Sequence, residues 1–172
     1  PALSWVHRGQ GKPNLCPQQA MNPPVYVTGI GIVSPLGLDA NSTWEALLRG
    51  TSGIDSITSF DTQGFETTFA GEIHGFDPTT YVDRKQARHL DRFAQLAVAA
   101  THQALTQARL DLTDGSVNPT RAGVVIGSGI GGIITLSEQF GVLAERGPTR
   151  VNPFLVPMML ADMGPGQVSI LY

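Results

Sequence analysis

Apolar positions along this chain fall into two kinds of pattern, and the alternation between them predicts the fold. From Val25 to Val33 nearly every position is apolar or β-branched. A run of that length predicts a strand buried on both faces. In "NSTWEALLRG" the period changes. Ser42 and Glu45 form a capping box, Trp44, Leu47 and Leu48 make an apolar stripe, and Gly50 supplies the stop, so a helix is predicted there. A short strand candidate follows at Phe69 to Ile73. Then "DRKQARHLDRFAQLAVAATHQALTQARL" opens with charge and continues as one predicted helix, in which Phe93, Leu96, Ala97, Ala100, Ala104 and Ala108 recur at three- and four-residue steps. Ala122 to Ile126 predicts a second buried strand, leading through a glycine turn into a helix from about Thr135 to Arg146. The order is β-α-(β)-α-β-α. The last stretch, "NPFLVPMMLADMGPGQVSILY", has helical spacing with a break expected at Pro165, whose ring clashes with the preceding turn of a helix interior.

The two ends lie outside that alternation. Residues 1–20 have no helical or strand period and are read as a leader before a natural start at Met21, which gives Trp5, His7 and Cys16 little weight as functional residues. Residues 21–172 then form the domain. The closing "QVSILY" stops on an apolar run with no cap, and is expected to lie inside a fold that continues.

Composition narrows the function. The chain has 172 residues, enough for one domain with a real core. Only 15% are charged, against about a quarter in an average globular protein, so burial in an assembly is expected. A net charge of −3 argues against general nucleic-acid binding. No apolar run approaches the roughly 20 residues of a membrane span, and the first residues lack a secretory apolar region, so a cytoplasmic location is expected. One cysteine cannot form an internal disulfide, and no His or Cys spacing suits a metal. No cofactor is implied.

Two glycine turns invite a phosphate-binding reading: "VTGIG", with Gly29 and Gly31, and "VVIGSGIGG", with Gly127, Gly129 and Gly132 in G-x-G-x-x-G register. A dinucleotide site needs an acidic residue about 20 positions on, at the end of the next strand. Here that distance falls inside the predicted helix, near Glu145. The alternative is that the glycines permit positive φ or close backbone approach over a packed interior. A hydrolase reading also lacks its motif, since Ser128 has Ile126 and Ile130 where flanking glycines are required. The residues alone show no catalytic constellation.

Six stretches taken together decide the family. "VYVTGIGIVSPLG", "STWEALLRGTSGI", "FDTQGFETTFAGEI", "RKQARHLDRFAQLA", "RAGVVIGSGIGG" and "VNPFLVPMML" resemble, in order and spacing, the N-terminal portion of β-ketoacyl-acyl-carrier-protein synthases, in particular the type II condensing enzymes of bacterial fatty-acid synthesis. The resemblance covers Val25 to Tyr172. It implies the N-terminal half of a thiolase-like layered α/β fold, a homodimer, and an acyl carrier protein as partner. It also implies an acyl transfer chemistry resting on a cysteine, two histidines and a lysine. Those positions of the family pattern fall beyond Tyr172, so no catalytic residue is assigned here, and Cys16 has no strand-to-helix setting to lower its thiol pKa.

Other family roles fall on residues that are present. "RKQARH" resembles the basic carrier-docking patch, which makes Lys85, Arg88 and His89 candidates, with Arg84 beside them. Their spacing, three and four apart, is expected to put them on one helix face. "GSGIGG" resembles the loop whose isoleucine bounds the acyl pocket, which points to Ile130. "NPFLVP" resembles the segment at the dimer interface that lines the partner's pocket, which points to Phe154, Leu155 and Val156. Two other functions stay open: a carrier-binding or dimerisation module without chemistry, and a gained hydrolytic activity at an exposed Ser or His.

Overall fold

A computed structural model describes residues 24–172, in which six α-helices pack with one small antiparallel ladder. The expected leader at residues 1–20 lies outside the described residues. In chain order the elements are α1 (Ala40–Leu48), β1 (Asp55–Ser56), β2 (Phe69–Ala70), α2 (Arg84–Ala87), α3 (Arg92–Ala108), α4 (Ile133–Arg146), α5 (Leu155–Met159) and α6 (Met163–Leu171). β1 and β2 pair antiparallel, with Asp55 opposite Ala70 and Ser56 opposite Phe69. Single 3₁₀ turns sit at Pro78–Thr80, Pro119–Arg121 and Pro148–Arg150, each opened by its proline.

The centre is α3 against α6. Val82, Ala87, Leu90, Ala94, Val98 and Val168 form the buried cluster, with Tyr81, Phe93, Ile126 and Leu171 packed on it. The alanine-rich face of α3 is what lets neighbouring backbones close in. A Cβ on Gly31 would overlap the Ala100 carbonyl, and one on Gly29 the Ala104 carbonyl, so the segment 25–33 lies directly on the helix. Two glutamines of α3 fix it there: Gln103 Oε1 accepts the Ile32 amide at 3.1 Å, and Gln107 Oε1 accepts the Ile30 amide. The close-approach reading of these glycines therefore holds.

Four expectations need correction. Residues 25–33 and 122–126 run extended but pair with no strand among the described residues, and Val25 and Val125 are 96% and 98% exposed instead of buried on both faces. A strand is defined by its ladder partner as much as by its own pattern: segment 25–33 lies against α3, and segment 122–126 turns Ile126 onto the core cluster beside α6. The first helix starts earlier than its capping box: Asp39 is the N-cap, its carboxylate accepting the Ser42 amide at 2.9 Å, and Thr43 and Ala46 are buried while Trp44, Leu47 and Leu48 stay exposed.

The single long helix over residues 83–110 is two. α2 ends at Ala87, and α3 begins anew after Asp91, whose carboxylate accepts the Phe93 amide at 3.3 Å. An aspartate captures backbone amides more readily than it continues a helix, which is why the break falls there. Nor does Pro165 break the last segment. It occupies the third position of α6, in the first turn, where a missing N–H costs nothing, and the break lies earlier, between Met159 and Met163.

Candidate functional site

The basic motif and the two apolar motifs converge on one end of the molecule, around the start of α4. α2 is a single turn, capped by Asp83, whose carboxylate accepts the Gln86 amide at 2.8 Å. Its open carbonyl end is closed from α3: Gln95 Nε2 donates to Ala87 O at 3.0 Å and to Leu90 O at 3.1 Å. With Ala87 and Leu90 buried, Arg84, Lys85 and Arg88 point outward and are exposed, and none of them forms an ion pair among the described residues.

His89 departs from the expected helix face. It lies past the end of α2 in a tighter turn, donating its amide to Gln86 O at 2.9 Å, and its ring stacks on Phe154 with centroids 4.0 Å apart and planes 14° from parallel. Lys85 and Arg88 remain neighbours on the turn. His89 instead joins the docking motif to the apolar one, two stretches 65 positions apart that the sequence reading kept separate.

Phe154 is held from below by polar contacts. Asn152 Oδ1 accepts the Phe154 amide at 2.9 Å, and the Asn152 amide donates to Gln139 Oε1 of α4 at 2.7 Å. The glycine turn closes the other side. Gly131 has φ +75°, Ser128 Oγ accepts its amide at 2.9 Å, and the Gly132 amide donates to Met159 O at 3.0 Å. So the loop carrying Ile130 docks against the end of α5. Ile130, Phe154 and Val156 are nonetheless exposed and Leu155 is half-buried. An apolar cleft of about 540 Å³ lies elsewhere, lined by Leu105, Leu110, Leu112, Val124, Ile126 and Tyr172 among others.

The phosphate question is answered by Asp91, which the sequence reading passed over. Its second carboxylate oxygen accepts the Thr135 amide at 2.8 Å, in the first turn of α4, and the residue is 4% exposed. The partial positive charge of that helix start is thus matched by a carboxylate of the protein itself. With the Gly131, Gly132 and Thr135 amides all engaged, the turn has few donors left for a ligand phosphate. Ser128, the nearest approach to a hydrolase serine, uses its hydroxyl oxygen on Gly131. His102 faces Tyr172, with Nδ1 3.2 Å from the phenol oxygen, and His74 lies 3.8 Å from Glu72. The signal that could have found Asp91 is an aspartate placed just before a long amphipathic run, "LDRFAQL", the N-cap position.

This geometry, with α-helices packed around extended glycine-bearing segments, is that of the ketosynthases. The ishigamide ketosynthase/chain length factor superposes with a TM-score of 0.74 and 27% identity, covering 84% of this chain and 36% of that one. A β-ketoacyl synthase from Burkholderia phymatum superposes with a TM-score of 0.68 and 28% identity, over 84% of this chain and 35% of that one. The thiolase-like layered α/β class is therefore the fold. Residues 22–172 match the family described as "Beta-ketoacyl synthase, N-terminal domain", and the chain belongs to it. It is similar to the 3-oxoacyl-[acyl-carrier-protein] synthase 2 of Staphylococcus aureus, 45% identical over 151 residues, which are 88% of this chain and 36% of that protein. The chain spans about a third of the length of the curated relatives it matches.

Proposed function

We propose that this chain is the carrier-docking and pocket-wall portion of a β-ketoacyl-acyl-carrier-protein synthase, a condensing enzyme of fatty-acid or related polyketide synthesis. The observation that carries it is the exposed group of Arg84, Lys85 and Arg88 on α2 and its C-cap, which form no ion pair among the described residues, beside the apolar residues of the Ile130 loop and α5. The S. aureus relative acts, by its name, with an acyl carrier protein, which supports that partner for this chain. Cations that hold no internal carboxylate are free to meet an acidic partner, and they steer its approach.

The chemistry of the whole enzyme would be acyl transfer to a thiolate followed by decarboxylative condensation, which needs a nucleophile and fixed donors for the enolate. The described residues of this chain hold neither a cysteine nor a paired histidine set. Their contribution is to bind and orient. Incubating the 172-residue chain with acyl- and malonyl-carrier protein should release no 3-oxoacyl product above a buffer control. Turnover would overturn the assignment of the chemistry to residues outside this chain.

Self-association is part of the same reading. Val25, Tyr26 and Val27 on the unpaired segment and Trp44, Leu47 and Leu48 on α1 are large apolar side chains left more than half exposed, and clusters of such side chains are surfaces that a protein partner covers. No helix among the described residues is long and apolar enough to cross a membrane.

A further inference from the structure

Phe154 is 43% exposed while its ring stacks on His89. An aromatic side chain in that state is unusual for a pocket wall, which would be covered, and unusual for a loose surface residue: the ring packs against His89, and the backbone beneath it is held by the Asn152 side chain. It is a fixed plate with an open side. The plate adjoins the turn bearing Lys85 and Arg88, because His89 is the next residue after Arg88.

We propose that the His89–Phe154 stack is the apolar centre of the carrier-docking surface, with Lys85 and Arg88 as its charged rim. The proposal rests on the docking reading above and deepens it: the partner's contact is an acidic helix that also presents an apolar side chain, seated on the Phe154 ring between the carboxylates that meet Lys85 and Arg88. Charge complementarity identifies the partner's rim, since Lys85 and Arg88 are exposed and form no ion pair among the described residues. The anchored ring identifies its centre, since rigid aromatic groups ringed by polar contacts are the usual seat of binding energy at an interface. His89 is then a positioning residue, acting through Phe154, and not one of the docking charges.

The two kinds of contact separate by salt, because exposed charges are screened and apolar burial is not. The test is calorimetric titration of unacylated acyl carrier protein into the full chain at low and at high ionic strength. Phe154→Ala and Phe154→Leu are expected to weaken binding, roughly tenfold for alanine, by a similar factor at both salt concentrations. His89→Phe, which keeps a flat ring under Phe154, should bind close to wild type, whereas His89→Ala should weaken binding. Lys85→Glu with Arg88→Glu should weaken it strongly at low salt and little at high salt. Circular dichroism of each variant controls for folding, and Phe154→Leu and His89→Phe keep the apolar volume should the alanine variants unfold.

If Phe154→Leu and His89→Ala bind the carrier as tightly as wild type while the charge reversals weaken it, the inference falls and the docking reading stands. If Phe154→Leu weakens only an acylated carrier, Phe154 belongs to the acyl site and the inference also falls. If wild type binds no carrier at either salt, both readings fall together.

Discussion

The Asp91 carboxylate bridges two helices: it accepts the Phe93 amide at the start of α3 and the Thr135 amide at the start of α4, from a position that solvent barely reaches. One side chain therefore sets the break after α2, the direction of α3 and the seat of the glycine turn. Replacing Asp91 by alanine leaves two amides without their acceptor, one of them buried. The expected cost is about 2–4 kcal/mol, with Asp91→Asn costing less because it keeps one acceptor oxygen. Urea unfolding of the two variants beside wild type measures both, and equal stability of all three would contradict the bridge.

The same carboxylate predicts what the glycine turn does not bind. ATP and NADH should produce no saturable shift in melting temperature at millimolar concentration, since the start of α4 already holds its anion. A clear upward shift with either nucleotide would show that the turn has donors to spare.

Gly131 combines φ +75° with the Met159 carbonyl 2.6 Å from where its Cβ would stand. Gly131→Ala is expected to destabilise by about 2 kcal/mol or more, from the left-handed backbone and the displaced α5 end together. In the family reading it should also loosen Ile130. Thermal unfolding checks the first part, and a melting temperature unchanged within a degree would refute it.

Acid stability has a contributor beside the β1–β2 ladder. Hydrogen bonds from Ser59 and Thr58 hold Glu72 down to about 2, from an ordinary 4.5. Glu72 binds its proton more weakly folded than unfolded. Its stabilisation is thus complete above pH 4.5 and fades as pH falls toward 2. Glu72→Gln should flatten the melting temperature profile in that window relative to wild type. A parallel profile for the two proteins would mean that Thr58 and Ser59 do not hold the charged form.

How much was legible in advance follows from which interactions are local. α4 with its glycine turn and the close approach at Gly29 and Gly31 were readable because periodicity and glycine placement are properties of a short stretch, whereas the layered α/β class was readable through the family resemblance of six motifs in order. The two extended segments were legible as apolar but not as unpaired, because pairing depends on a neighbour elsewhere in space. The break at Asp91 was missed because the apolar period runs through it; its cap onto Phe93 is local, but the second bond that holds the carboxylate in place comes from an amide 44 positions away. The His89–Phe154 contact was illegible for the same reason. Each residue matched its own motif, and nothing in either motif says that the two rings meet.

Self-association is the prediction on which the exposed apolar surface bears most simply. Light scattering at micromolar concentration should give a mass above one chain, and Trp44→Glu with Leu48→Glu should lower it if the α1 face takes part. A clean monomer for wild type would contradict the expectation.

The central claim, that this chain is the carrier-docking part of a β-ketoacyl synthase, is tested most directly by reversing charge on α2. Unacylated acyl carrier protein titrated at low ionic strength should bind wild type saturably, and Lys85→Glu with Arg88→Glu should reduce the affinity roughly a hundredfold while the circular dichroism spectrum stays unchanged. Equal affinity for the reversed and wild-type chains would show that α2 is only a solvated charged turn, and would contradict the account.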